Sequence, residues 1–196
     1  MKYQHIAEQL GEKGLCVWPN FLSENCLRET QNNFDEIQSA GGFSRAGTGQ
    51  NSDNAVQKIR SDSTYWLDRE TNSTAQTELW KKIDKLKQSF NRTLFLGITA
   101  FEGHYSSYST GGFYQRHLDC FRHDDTRIVS FVLYLNQNWQ KSDGGCLRIY
   151  KGNSHTDIEP RGGTMVCFLS REAEHEVMKT HSARHSFTGW FKMSQR

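Results

Sequence analysis

The sequence predicts an α+β fold in which helices pack on one sheet of an antiparallel jelly roll. Up to Gly97 apolar residues recur at helical spacing, whereas from Ile98 onward short apolar segments alternate with turn signals. The glycine pairs Gly111–Gly112, Gly144–Gly145 and Gly162–Gly163 punctuate that second half, as expected of a sandwich or barrel of short strands. A chain of 196 residues can bury a sizeable core as one domain, with residues 1–97 as mainly helical support and 98–193 as the jelly-roll core.

Taken in order, a short helix is predicted over roughly Tyr3 to Gly11, and CVWPNFL reads as a strand entering a turn. Ser23 is placed to cap a second helix that runs to about Ser39 and buries Leu27, Phe34 and Ile37. Residues 40–58, AGGFSRAGTGQNSDNAVQK, have almost no periodicity and read as a flexible flap, because a loop of that length in a compact domain usually has a function. A third helix begins at Ser73, where Leu79, Ile83, Leu86, Phe90 and Leu94 follow at spacings of 4, 3, 4 and 4, one helical face. Ser73 and Gln76 have the spacing of a capping box. About eight strands follow, in ITAFEGHYSSYS, FYQRHLD, TRIVSFVLYLN, CLRIY, TDIEP, TMVCFLS, HEVM and RHSFTGWFKM.

Composition narrows the function classes. Hydrophobic residues make up 35% and aromatics 12%, and the mean hydropathy of −0.76 implies a strongly polar surface around a real core. A net charge of +2 with both signs interspersed gives no basic footprint for nucleic acid. The five cysteines are scattered, odd in number and without a C-x-x-C, which favours reduced buried thiols over a disulfide framework or thiolate zinc site. The N-terminal stretch lacks the apolar run of a signal peptide and no segment reaches membrane-spanning length, so a cytoplasmic location without membrane attachment is expected.

The chemistry concentrates in RHLDCFRHDD, which holds two His-x-Asp pairs. In a strand, residues two apart share a face, so a histidine and a carboxylate at that spacing can grip one metal from one side. His117 and Asp119 end a predicted strand, whereas His123 and Asp125 fall in a polar turn and read as turn solvation. A third ligand must come from elsewhere: His175, in REAEHEV, is well placed, and His104 and His185 also lie in strands, so the residues alone leave the choice open. Arg184 stands nine residues beyond His175. If HEV and RHSFTGWF are antiparallel neighbours, Arg184 projects into the same barrel, where a guanidinium is costly unless it meets an anion. Its bland reading is a surface salt bridge. Two histidines, one carboxylate and an inward arginine describe the facial triad of non-haem Fe(II) oxygenases with a dicarboxylate co-substrate.

GGFYQRHLD, RIVSFVLYLNQNW, GGCLRIY, IEPRGGTMVCFLS, HEV and RHSFTGWF, in that order, resemble the Fe(II)/2-oxoglutarate-dependent prolyl hydroxylases, in particular the hypoxia-inducible-factor prolyl hydroxylases and their bacterial SM-20-like relatives. The resemblance covers roughly residues 98–193 and extends to IRSDSTYWL. It implies a double-stranded β-helix with Fe(II) held by His117, Asp119 and His175. It further implies that Arg184 anchors the C5 carboxylate of 2-oxoglutarate with Tyr134 adding a hydrogen bond, that Thr188 lies beside the co-substrate, and that Tyr108 sits near its iron-binding end, His104 and Tyr105 being neighbours that could be taken for it. Trp190 would meet the substrate, Asp62 and Arg127 would form an ion pair ordering the substrate face, and residues 40–58 would be a finger loop. The implied reaction joins decarboxylation of 2-oxoglutarate by O2 to hydroxylation of a prolyl residue in a protein, with ascorbate as a candidate reductant and a translation factor as a candidate target.

Four other readings compete with this one. Asp119 argues against the halogenating relatives, which lack this carboxylate, and Trp190 occupies the place where nucleic-acid dealkylases carry a second arginine. Hydroxylation of free proline or another small amino acid is the rival within the class. From a different class, the rival is a non-catalytic jelly-roll module that only captures a ligand.

Overall fold

The structure is a computed structural model that describes residues 1–47, 59–71, 73–120 and 126–194. Its helices are α1 (Lys2–Lys13), α2 (Glu24–Ser39) and α3 (Thr74–Leu94). Before the second half come three short strands, β1 (Leu15–Trp18), β2 (Ser44–Arg45) and β3 (Ser63–Trp66). The second half carries β4 (Ala100–Tyr108), β5 (Tyr114–His117), β6 (Arg127–Tyr134), β7 (Leu147–Lys151), β8 (Ser154–Ile158), β9 (Met165–Leu169), β10 (His175–Val177) and β11 (Arg184–Lys192).

The helix starts follow from their caps. Ser23 Oγ accepts from Cys26 N at 3.4 Å and Ser73 Oγ from Gln76 N at 3.3 Å, each satisfying an orphan N–H. The reciprocal half of the predicted capping box does not form. The Gln76 amide instead donates to Asn33 Oδ1 at 3.0 Å, because tying α3 to α2 satisfies a buried amide that would otherwise face the protein interior. α1 ends at Gly14, whose φ of 69° suits a left-handed cap.

All strand pairs within the two sheets are antiparallel. The major sheet has the order β1-β9-β6-β11-β4-β3-β2 and the minor sheet β5-β10-β7-β8, the two faces of a jelly roll. The first half is thus more than helical support, since it contributes three strands to the major sheet. Side chains alternate across that sheet. Phe101 and Tyr105 of β4, Val129, Phe131 and Leu133 of β6, and Phe187 and Phe191 of β11 meet Ile83, Leu86 and Phe90 of α3 in the helix-side core. Each such large apolar side chain contributes about 1.5–3 kcal/mol on burial. The other face of the same strands looks across to the minor sheet, and the site lies between them. None of the described helices is long and apolar enough to cross a membrane.

Candidate active site

β5 and β10 pair so that His117 stands opposite His175, with ring centroids 4.3 Å apart. β5 ends at His117, and two residues later the Asp119 carboxylate reaches back to lie 3.5 Å from His117 Nε2 and 3.6 Å from His175 Nε2. Among the described residues these three form the one group of metal-ligating side chains, their donor atoms all within 4.8 Å of one another. The His117 Nδ1–H donates to the Gln115 carbonyl at 2.7 Å and the His175 Nδ1–H to the Ala173 carbonyl at 2.9 Å. A carbonyl can only accept, so both rings are set to offer the Nε2 lone pair. Tyr114 stacks on His117 at 3.7 Å and Phe168 packs on His175 at 4.6 Å, holding both rings in place.

The protonation states suit a cation. Burial alone would raise the Asp119 pKa, but His175, His117 and Ser130 outweigh it and hold the carboxyl below its ordinary range, so it is ionised. Burial pushes the His175 pKa down and keeps that ring neutral. For bonds of about 2.1 Å at right angles, neighbouring donors sit roughly 3 Å apart; the His117–Asp119 and His175–Asp119 spacings of 3.5 and 3.6 Å lie near that value, and the three donors together would draw inward to share one ion.

Arg184 lies deeper and is 2% exposed. Its Nε–H donates to the Gly145 carbonyl at 2.9 Å, and its guanidinium lies between the Tyr108 and Tyr134 rings, 5.1 and 5.2 Å from their centroids. Gly145 is needed there: its φ is 61°, and an added Cβ would come within 3.1 Å of Arg184 Cδ. Among the described residues no carboxylate pairs with this buried cation. Among the described residues the Tyr134 hydroxyl beside it has no hydrogen-bond partner of good geometry, and burial pushes its pKa up to about 12, so it remains a donor.

One cavity of about 350 Å³ joins the triad to Arg184. Along β11, Arg184, Ser186, Thr188 and Trp190 line it on alternate positions, and β4 contributes His104, Ser106 and Tyr108 by the same rule. That parity resolves the two tyrosines: Tyr108 faces the cavity, while Tyr105 points to the helix side and donates from its hydroxyl to Asn33. His104 is beyond the triad and His185 stacks on Phe34 at the helix side, so His175 is the histidine that joins His117.

Two sequence expectations fail. β10 and β11 are not neighbours: the chain crosses from the minor to the major sheet between them, and Arg184 faces the triad across the hollow rather than along one sheet. Nor do Asp62 and Arg127 pair. Both Asp62 oxygens accept from Arg60 at 2.7 Å, the nearer partner along the chain, and Arg127 donates to Glu102 at 3.0 and 3.3 Å while its guanidinium lies 3.6 Å from the centre of Trp190. His123 and Asp125 lie outside the described residues, as do 48–58 of the proposed flap, although Ala46 and Gly47 line the cavity.

The sequence reading missed Ser130 and Ser170, which hold Asp119. It also missed Trp66, which packs with His104 and Trp190 in the cavity wall. The signal for Ser130 was present: it interrupts the apolar run RIVSFVLYL at the same parity as Tyr134.

The family model for the 2OG-Fe(II) oxygenase superfamily matches residues 103–192. A hypoxia-inducible factor prolyl hydroxylase of Caenorhabditis elegans is 30% identical over 203 residues, covering 96% of this chain and 28% of its own length. The chain therefore spans about a quarter of that relative. A crystal structure of a Pseudomonas putida prolyl-4-hydroxylase superposes with a TM-score of 0.91 at 35% identity, covering 99% of this chain and 100% of that one. The chain belongs to the prolyl hydroxylases of the 2OG-Fe(II) oxygenase superfamily. A Trichoplax adhaerens prolyl hydroxylase, solved in complex with a hypoxia inducible factor oxygen degradation domain peptide fragment, superposes with a TM-score of 0.88 at 28% identity, covering 97% of this chain and 90% of its own. In this oxygenase the double-stranded β-helix thus carries a His-Asp-His group suited to Fe(II) and a buried cation suited to 2-oxoglutarate.

His104 gives this oxygenase a pH signature. Burial pushes its pKa down from 6.5 to about 4, and its Nδ1 has no hydrogen-bond partner among the described residues. The unfolded chain therefore takes up a proton near pH 6.5 that the folded chain refuses until about pH 4. Stability is full above pH 6.5 and falls between there and pH 4, by on the order of 3 kcal/mol from this residue. His104→Asn should flatten part of the acid limb in denaturant titrations at successive pH values; an unchanged limb would refute this origin.

Proposed function

We propose that this oxygenase hydroxylates a prolyl residue within a polypeptide, consuming 2-oxoglutarate and O2 and releasing succinate and CO2. One observation carries the reading: Arg184, buried and without a carboxylate partner among the described residues, shares a cavity with His117, Asp119 and His175. A buried guanidinium with no anion is destabilising, so a dicarboxylate ligand would complete the site.

His117, Asp119 and His175 would hold the iron, and the cavity beside them would take the co-substrate and O2. The iron, when bound, supplies the oxidising power that breaks an unactivated C–H bond. The protein orients the reactants. Arg184 would take the far carboxylate of 2-oxoglutarate in a bidentate grip, with Tyr134 donating to it, and Tyr108 and Thr188 would flank the same molecule. Burial keeps the Tyr108 hydroxyl neutral. Val132 and Phe168 line the space between and exclude water.

A polypeptide substrate is favoured over free proline by the mouth of the cavity. Trp66 is 53% exposed and Leu118 37% exposed there, apolar surface that a free amino acid would leave uncovered. The T. adhaerens relative, solved with a peptide fragment, points the same way, and a translation factor is a candidate target in a cytoplasmic setting. Lysate proteins treated with the Fe(II)-loaded enzyme, 2-oxoglutarate and ascorbate should contain a prolyl residue heavier by one oxygen. Succinate released with free proline, but with no modified polypeptide, would favour the small-molecule reading. No succinate under any condition, and no visible band when Fe(II) and 2-oxoglutarate are added without oxygen, would leave only the binding module.

A further inference from the structure

Asp119 lacks the support that the two histidines have. His117 ends a strand and His175 begins one, so ladder hydrogen bonds fix their backbones, whereas Asp119 lies beyond the end of β5. Among the described residues, apart from the two histidines, two hydrogen bonds hold it. Arg127 Nη1 donates to its carbonyl at 3.3 Å, and Ser130 Oγ donates to its Oδ2 at 2.6 Å. Ser130 Oγ also lies 2.9 Å from Ser170 Oγ. These two serines are 1% and 0% exposed.

The direction of this chain follows from counting hydrogens. The ionised Asp119 carboxylate can only accept, so the single Ser130 hydrogen goes to it. Ser130 then has only lone pairs left, and Ser170 must donate to Ser130. Buried serine and threonine hydroxyls usually settle on a backbone carbonyl, as Thr30 does on Cys26 in α2 at 2.8 Å. Here two hydroxyls from adjacent strands are spent in series on one carboxylate oxygen. Ser130 is on β6 and Ser170 just beyond β9, whose main-chain N–H donates to the Ile128 carbonyl at 3.0 Å, so the major sheet fixes both.

We propose that the relay Ser170→Ser130→Asp119 is a positioning device for the metal ligand: it locks the carboxylate rotamer and draws charge from Oδ2, so that Asp119 is presented to the cation as a one-armed ligand through Oδ1. The inference rests on the reading of Asp119 as a metal ligand. Its functional meaning is that a carboxylate gripping with both oxygens would occupy a position that 2-oxoglutarate or O2 needs.

The test is Co(II) titration of the purified protein, followed by the visible absorption of the bound ion, for the wild type, Ser130→Ala, Ser130→Thr and Ser170→Ala. Ser130→Ala should weaken Co(II) binding about 10- to 100-fold and alter the absorption bands, because the number or arrangement of donors changes. Ser130→Thr, which keeps the hydroxyl, should restore both. Ser170→Ala should move both the same way by less, and it carries the test if Ser130→Ala fails to fold. A folded Ser130→Ala or, in its place, Ser170→Ala that matches the wild type in affinity and spectrum overturns the relay, as does a folded Ser130→Thr as defective as the alanine variant. Wild-type protein that takes up no Co(II) would sink the metal reading itself and the relay with it.

Discussion

Arg184→Met should raise the 2-oxoglutarate concentration needed for half-maximal succinate release by roughly 30- to several-thousand-fold, while metal affinity changes little. Truncating one partner of a buried, hydrogen-bonded charge pair costs about 2–5 kcal/mol, which sets that range. Methionine fills a similar volume, so the Tyr108 and Tyr134 rings keep a neighbour, and the metal-ligating atoms belong to other strands. The same substitution should leave the ligand-free protein at least as stable as the wild type, because it removes a buried cation that no described carboxylate offsets. Isothermal titration with 2-oxoglutarate and thermal melts of the ligand-free protein would measure the two effects. Parallel losses of metal and co-substrate binding would contradict the separation of roles.

Asp119→Asn should be the more damaging change. It keeps shape but removes the only negative donor among His117, Asp119 and His175. Altering a residue that merely supports a ligand costs 10–100-fold in metal affinity, so replacing the charged ligand should cost at least about 100-fold. Hydroxylation should disappear with it, and raising the metal concentration should restore only part of the succinate release. The effect is read by equilibrium dialysis with Fe(II) under argon. An Asp119→Asn protein that retains wild-type affinity would place the metal elsewhere.

Much of the site was legible because strand parity is a local property. Arg184, Ser186, Thr188 and Trp190 share a face by counting in twos, and the structure puts all four on the cavity. His117 and Asp119 were readable for the same reason, although β5 stops at His117 and Asp119 reaches its place from outside the strand. What the residues could not tell was which strands share a sheet. Sheet membership depends on long-range closure, so the condition that β10 and β11, close in the chain, be antiparallel neighbours is not met: they lie in different sheets. The pairing of Asp62 was not legible either: both of its oxygens accept from Arg60, two residues earlier in the chain, whose guanidinium also lies 4.4 Å from the Tyr114 ring centre. The eight strands of the second half and the caps at Ser23 and Ser73 were read from spacing and turn chemistry, which need no tertiary information.

That His117 and His175 belong to the minor sheet and Arg184 and Tyr134 to the major one has a geometric consequence. On the proposed reading the gap separating the two layers would work as a caliper: one jaw would carry the histidine ligands for the ion and the other the cation for the distal acid group. Val132, Leu147 and Phe168 line the hollow between the two layers, so on the proposed reading these apolar residues would act as the spacer that limits the length of diacid able to bridge them.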